Sequence, residues 1–367
     1  MTRNLQSLAV IAKRLETPDT VSVVLERPAS PEVALDYQAG QFLTLQFNID
    51  GKPVRRAYTL SSSPVLDQHF QITVKRIPDG LVSNYIHDQL QVGDRIDIMP
   101  PRGKCCVTVA PSHYKTYYLF GAGSGVTPLM SILRTVLATE PHSHVFFFYG
   151  NRHEDRIIFR PELQDLDREY GDRLQIVHTL SQPKRDTLSA SLSFWRWGEV
   201  AWEVRKGRID APAVQWFLRT HRPVAQDVQY FICGPEGMID TISATLQQLG
   251  ALPERIHVER FATNAPKNPD TQGPLADRAR LFGQVMDQRI DLVITRGQTL
   301  LRALLENGWD MPFACQSGVC GSCKAKLLQG QVEMKSYAGL DAAELQEGYI
   351  LTCQSRSVTE QVEIQVK

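Results

Sequence analysis

"YKTYYLFGAGSGVTPLMSILRTVLATE", Tyr114 to Glu140, changes the character of the chain within one short stretch. An apolar run through "YKTYYLF" reads as a buried strand. "GAGSG" reads as a turn, and "TPLMSILRTVLATE" as a helix with Leu129, Ile132, Leu133 and Val136 on one side. Downstream, "VFFFYG", "LQIVHTL" and "VQYFICG" are further apolar strands separated by helical segments. Strands alternating with helices predict a parallel sheet covered on both faces, here over residues 111–262. "GAGSGVTP" (Gly121 to Pro128) lies where a strand meets a helix N-terminus, a place where backbone amides suit a phosphate. A turn that only permits tight packing is the alternative. "FICGPEGM" sets Cys233, Gly234 and Pro235 at another strand end, where ligands of open α/β sheets bind.

Before this segment, residues 1–110 read as short strands joined by turns. "QFLTLQFNIDGKPVRRAYTLSSSP" holds two β-rich runs around Asp50-Gly51, a hairpin signal. "HFQITVKRI" alternates, with Phe70, Ile72 and Val74 on one face, and "QVGDRIDIMPPRG" adds another strand. The expectation is an antiparallel β-barrel or sandwich. Within it, "RRAYTLSSSP" offers an arginine for a pyrophosphate, an aromatic ring to stack, and small hydroxyls for a ring edge. "GLVSNYIHDQL" opens a helix at Gly80 with Ser83 near its start.

After it, residues 263–283 are rich in Pro, Asn, Asp and Gly without periodicity, and read as a linker. Then come two strands, a helix "TLLRALLENG" closed by Asn307-Gly308, and the stretch "CQSGVCGSCKAKLLQG". Four of the chain's seven cysteines fall in this last segment: Cys315, Cys320, Cys323 and Cys353. Gly318, Gly321, Ser322 and Ala314 let a loop coil tightly around one centre. A structural zinc site would more often show two C-x2-C pairs, and here there is one. Buried free thiols are the other alternative.

The whole chain carries 40 basic and 40 acidic residues and 43% hydrophobic residues. That balance predicts neither a nucleic-acid nor a membrane-surface binder, and with no stretch approaching the ~20 apolar residues of a membrane span, no membrane insertion is expected. The apolar run near the N-terminus is too short for a signal-peptide core, so the expectation is a cytoplasmic protein, monomeric on its own.

The spacing C-x4-C-x2-C followed by a distant cysteine resembles the plant-type [2Fe–2S] signature. R-x-Y-T-x-x-S, G-x-x-S, GAGSGVTP, CGP and "HVERF", in that order, resemble the ferredoxin–NADP reductase superfamily. Together they resemble the flavo-iron–sulfur reductases that feed bacterial oxygenases. "YGNRHEDRIIFRPELQDL", "GRID" and "FICGPEGMI" look like the phenylacetyl-CoA epoxygenase reductases in particular.

The resemblance implies an FAD-binding barrel, an NAD(P)-binding α/β domain and a C-terminal β-grasp α+β ferredoxin domain over 284–367. Arg56, Tyr58, Thr59 and Ser62 would hold FAD, and Gly80, Leu81, Val82 and Ser83 its phosphates. Gly121, Gly123, Ser124, Gly125 and Thr127 would hold the dinucleotide pyrophosphate, with Gly234 and Pro235 beside it. Thr59, Cys233 and Glu259 would surround the hydride transfer, with Phe261 at the flavin. Cys315, Cys320, Cys323 and Cys353 would hold a [2Fe–2S] cluster. Arg152 could meet a 2′-phosphate, which favours NADPH over NADH.

The implied function is electron transfer from NAD(P)H through FAD and the cluster to a terminal oxygenase or other redox metalloprotein. A fatty-acyl desaturase or hybrid-cluster protein is an alternative acceptor, and a non-catalytic redox sensor is the alternative class. One departure is the excursion over residues 184–206, with Trp195, Trp197 and Trp202. It reads either as an aromatic-anchored surface loop or as a docking face.

Overall fold

The structure is a computed structural model that describes residues 5–28, 35–184, 193–197, 200–261 and 275–366. Six strands build the N-terminal sheet: β1 (Gln6–Thr17), β2 (Thr20–Leu25), β3 (Phe42–Ile49), β4 (Lys52–Thr59), β5 (Phe70–Lys75) and β6 (Arg95–Arg102), in the order β4-β3-β6-β1-β2-β5. Asp50 and Gly51 both take positive φ, 53° and 72°, as the tight β3–β4 turn requires. Phe70, Ile72 and Val74 are buried, so the alternation read from the sequence is the core face. An antiparallel bridge between Leu60 and Ile72 joins the two ends of the strand order and closes the barrel. Helix α1 (Leu81–Asp88) follows β5, with Gly80 as its N-cap.

The central domain alternates β7 (Lys115–Ala122), α2 (Val126–Thr139), β8 (His144–Asn151), α3 (Arg160–Tyr170), β9 (Leu174–Leu180), β10 (Ser193–Trp197), β11 (Val200–Lys206), α4 (Ala211–Thr220), β12 (Asp227–Cys233), α5 (Glu236–Gln248) and β13 (Ile256–Glu259). The sheet order is β10-β11-β9-β8-β7-β12-β13, parallel apart from the β10–β11 hairpin. Both faces are covered, which explains the apolar runs. Tyr117 and Leu119 of β7 pack with Leu129, Ile132, Leu133 and Val136 of α2. Tyr118 and Phe120, one residue out of step, pack with Val214 and Phe217 of α4 and Ile239 and Ile242 of α5.

The tryptophan-bearing excursion is a sheet extension. Strand β11 pairs in parallel with β9, and Trp202 is 2% exposed, with its ring 4.4 Å from that of His178. The docking reading therefore loses Trp202 to the core. The side chains of Trp195 and Trp197, and residues 185–192, lie outside the described residues.

The C-terminal segment contains β14 (Arg278–Val285), β15 (Gln288–Thr295), α6 (Leu300–Glu306), β16 (Lys324–Gln329), β17 (Val332–Met334), α7 (Ala342–Gln346), β18 (Tyr349–Leu351), β19 (Ser355–Ser357) and β20 (Gln361–Val366). Its mixed sheet runs β15-β14-β20-β16-β18, with α6 contributing Leu300, Leu301 and Leu304 to its core. This is the α+β arrangement expected of the segment. Residues 263–274 of the expected linker lie outside the described residues, and β14 begins at Arg278, inside the expected linker span. The turn-rich composition stops at Pro274, and the alternation of Ala279 and Leu281 already marks a strand.

Two compact units result: Gln6–Leu43 with Tyr58–Arg260, and Thr44–Ala57 with Phe261–Lys367 and the first five residues.

Candidate functional site

Parallel pairing sets the dinucleotide-binding candidates side by side. Cys233, at the carboxyl end of β12, is in register with Gly121 on one side and with Glu259 of β13 on the other. The turn after β7 passes so close that a Cβ on Gly125 would lie 2.1 Å from the Cys233 carbonyl oxygen. Glycine is required there by backbone approach alone. Gly123 has φ 54°, its carbonyl accepts from the Tyr149 hydroxyl at 3.0 Å, and Thr127 donates to the Ser124 carbonyl at 3.0 Å. The loop is thus braced by its own residues, and the Val126 amide that opens α2 donates to the Gly123 and Ser124 carbonyls. Gly234 leads into Pro235, which caps α5.

Glu259 is the most perturbed carboxyl of this region. The residue keeps some surface, yet its Oε2 is shut off from solvent and accepts no hydrogen bond, while Oε1 accepts from the Thr59 hydroxyl at 2.8 Å. Burial pushes its pKa up to about 8, with the Thr59 hydrogen bond acting the other way. Burial, with Glu259 nearby, also pushes the Cys233 thiol well up, so it stays protonated at neutral pH. An orphaned carboxyl oxygen beside two strand-end turns fits a ligand polar atom. Phe261 follows directly after β13 and is partly buried.

A pH effect follows. The folded-state value of Glu259 lies above its unfolded value near 4.5, so the protonated carboxyl stabilises the fold fully below that pH. The contribution is lost as pH rises toward 8. Glu259→Gln, which cannot ionise, should therefore show a flatter decline of Tm between pH 5 and 9 than the parent protein. Parallel melting curves across that range check it.

In the flavin motif, Thr59 is buried and committed to Glu259, while Arg56 and Tyr58 are partly exposed. Ser62 is 1% exposed, and its hydroxyl oxygen already accepts from Tyr37 at 2.8 Å and from the Gln71 amide at 3.0 Å. Its carbonyl accepts from Ser131 at 2.6 Å. Ser62 therefore braces the strand end against α2, a role its motif does not announce. Ser83 is likewise turned inward: it accepts from the Ile77 amide at 3.2 Å and donates to the Gly80 carbonyl at 3.3 Å. A Cβ on Gly80 would meet the Ser83 oxygen at 2.4 Å, so this cradle needs glycine. The amides of Leu81, Val82 and Ser83 open α1 and are the groups suited to phosphate.

One residue of the site escapes sequence reading. Lys75, at the end of β5, has its Nζ 3.7 Å from where a Gly123 Cβ would stand, and 3.8 Å from Asp19. Burial lowers its pKa, as do Arg156 and Arg152, against the opposing pull of Asp19. "HFQITVKRI" shows a lysine at a strand end, with nothing local to say that the nucleotide turn lies beside it. Arg152, at the end of β8, is exposed.

The four candidate cluster cysteines form two pairs. The Cys320 thiol hydrogen-bonds the Cys315 sulfur and holds it well below the usual thiol range, and Cys323 lowers Cys353 in the same way. Amides point at the sulfurs: Ser317 at 3.4 Å from Cys315 Sγ and Ser322 at 3.5 Å from Cys320 Sγ. Gln316, Gly318 and Gly321 all take positive φ, which coils the loop. Among the described residues, no three His, Cys, Asp or Glu side chains close around a single ion. The donor set, three cysteines in one coiled loop and a fourth beside it, fits the C-x4-C-x2-C…C spacing of a two-iron centre.

Family models match in the order read from the sequence: an oxidoreductase FAD-binding domain over residues 7–106, an oxidoreductase NAD-binding domain over 119–244, and a 2Fe-2S iron-sulfur cluster binding domain over 284–358. The chain belongs to the ferredoxin reductase superfamily, among its flavo-iron–sulfur reductase components, and is an NAD(P)H-dependent oxidoreductase. It is 35% identical to the ferredoxin reductase component of 3-ketosteroid-9-alpha-monooxygenase from Rhodococcus rhodochrous, over 98% of this chain and 96% of that one. It is 32% identical to a component of the 1,2-phenylacetyl-CoA epoxidase of Escherichia coli K12, over 97% and 96%. A solved phthalate dioxygenase reductase shares the fold, with a TM-score of 0.59, 20% identity, and 99% and 98% of the two chains covered. No helix among the described residues is long and apolar enough to cross a membrane.

Proposed function

We propose that this protein is the reductase component of an oxygenase system, oxidising NADPH and delivering electrons singly to a partner oxygenase. One observation carries the reading. FAD-binding, NAD-binding and 2Fe-2S domains stand in that order in one chain, and that chain is alike end to end with the ferredoxin reductase components of monooxygenases. A bound flavin would supply two-electron acceptance with single-electron release, and a bound cluster would supply one-electron transfer.

The chain's own residues have the following parts. Arg56 would neutralise the flavin phosphates, the amides of Leu81 to Ser83 would hydrogen-bond them, and Tyr58 would supply an aromatic face to the flavin ring. Gly121 to Gly125 let the dinucleotide pyrophosphate approach the α2 amides, with Lys75 adding charge. Thr59 and Glu259 orient groups at the reacting edge, and Cys233 packs there as a neutral thiol.

The basic group Lys75, Arg152 and Arg156 supports a ligand with an extra phosphate. Arg152→Ala should cut the preference for NADPH over NADH by about tenfold, roughly one charge-assisted hydrogen bond. Paired kcat/KM values check this, and an unchanged preference would remove the argument. The test of the overall function is turnover. Purified holoprotein should reduce many equivalents of an artificial acceptor such as cytochrome c per flavin, whereas a redox sensor would stop after one.

A further inference from the structure

Arg55 is an arginine that the proposed flavin motif does not use. It precedes Arg56 on β4, and alternation sends the two side chains to opposite faces of the strand. Arg55 is 7% exposed. Within the unit formed by Thr44–Ala57 and Phe261–Lys367, its guanidinium lies 4.7 Å from the centroid of the Phe313 ring. Nη1 donates to the Met311 carbonyl at 3.4 Å, and Asp310 is 3.9 Å away. Nε donates to Gln46 Oε1 of β3 at 2.9 Å, which fixes the head group from the other side. A buried arginine retained with one long ion pair calls for a reason beyond charge pairing. Apart from Gln46, these contacts are all with the segment that leads into Cys315.

We propose that Arg55 is a positioning residue that holds the segment leading into the cluster-binding loop against the β3–β4 hairpin of its own unit, and thereby sets the rate at which electrons enter the cluster. The planar guanidinium stacks on the Phe313 ring and fastens to the Met311 carbonyl at once, two contacts a lysine cannot make together. The proposal rests on the reductase reading above, and its failure can be told apart from failure of that reading.

The test uses holoprotein of Arg55→Ala, Arg55→Lys and Phe313→Leu. Anaerobic stopped-flow with NADPH follows flavin and cluster absorbance separately. In Arg55→Ala the cluster should be reduced at least tenfold more slowly while flavin reduction stays within twofold of the parent, with iron and flavin content unchanged. Arg55→Lys should recover little, and Phe313→Leu should fall between. Hydrogen exchange of residues 310–318 in the same holoproteins should accelerate in Arg55→Ala, a readout independent of turnover. Parent-like cluster reduction together with parent-like exchange in Arg55→Ala overturns the proposal. If Arg55→Ala does not fold, Phe313→Leu decides: unchanged exchange and unchanged cluster reduction there overturn it. Absence of flavin reduction in the parent protein would instead overturn the reductase reading.

Discussion

Cys353→Ser should abolish electron delivery while leaving the nicotinamide reaction intact. Reduction of cytochrome c should fall at least a hundredfold, iron content should drop to background, and flavin reduction by NADPH should stay within twofold. Cys353 is the distant proposed ligand, and it is paired with Cys323 through the Thr352 amide and hydroxyl, both of which donate to the Cys323 carbonyl at 3.1 and 3.0 Å. A serine oxygen in that place keeps the fold of the loop but gives iron a much harder and less acidic ligand. The two halves of the outcome come from different segments of the chain, so one substitution should separate them. Visible absorbance, iron analysis and the two rates, measured on one preparation, check it.

Gly125→Ala should be the most damaging small change in the nucleotide domain. The added methyl would stand 2.1 Å from the Cys233 oxygen, 2.5 Å from its carbonyl carbon and 2.8 Å from the Gly234 nitrogen. All three are backbone atoms, so no side chain can swing aside. The turn after β7 and the end of β12 would have to separate, and both belong to the proposed dinucleotide site. Overpacking of this kind costs about 3 kcal/mol, enough to lower Tm by roughly 10 °C in a domain of this size. KM for the coenzyme should rise at least tenfold. Gly237→Ala is the control: nothing lies within 4 Å of its added methyl, and the site is inside α5, so stability should rise slightly. Equal melting temperatures for the two variants would contradict the packing account.

The sequence was most informative where burial is two-sided. Strands β7, β8, β9 and β12 are rich in apolar residues because helices cover both faces, and they announce themselves without any knowledge of pairing. The Asp50-Gly51 hairpin was legible for a local reason too, since both residues need positive φ. The cysteine loop was legible because ligand spacing and glycine placement sit in one short stretch.

What stayed hidden depends on contacts distant in sequence. Closure of the barrel rests on the Leu60–Ile72 bridge and the Ser61 and Ser62 hydrogen bonds to Gln71 beside it. Trp202 looked available for docking because its burial comes from β11 pairing with β9, and no local pattern encodes that parallel register. Thr59 and Glu259 meet across 200 residues, so neither motif reveals the other residue as its partner. Ser62 matched the motif, yet Tyr37, Gln71 and Ser131 converge on it from three different segments. Arg55 sits within "RRAYTLSSSP" with nothing local to single it out, because Phe313 is far away along the chain.

The decisive experiment is an anaerobic visible titration of purified holoprotein, with measured flavin and iron content, against NADPH and then NADH. Flavin and iron–sulfur absorbance should both bleach, with three electrons taken up per chain, two by flavin and one by the cluster. NADPH should reach the end point at the lower concentration. A protein loaded with both cofactors whose flavin bleaches while the cluster band stays oxidised would contradict this account, because the chain would then lack the path on which its proposed function depends.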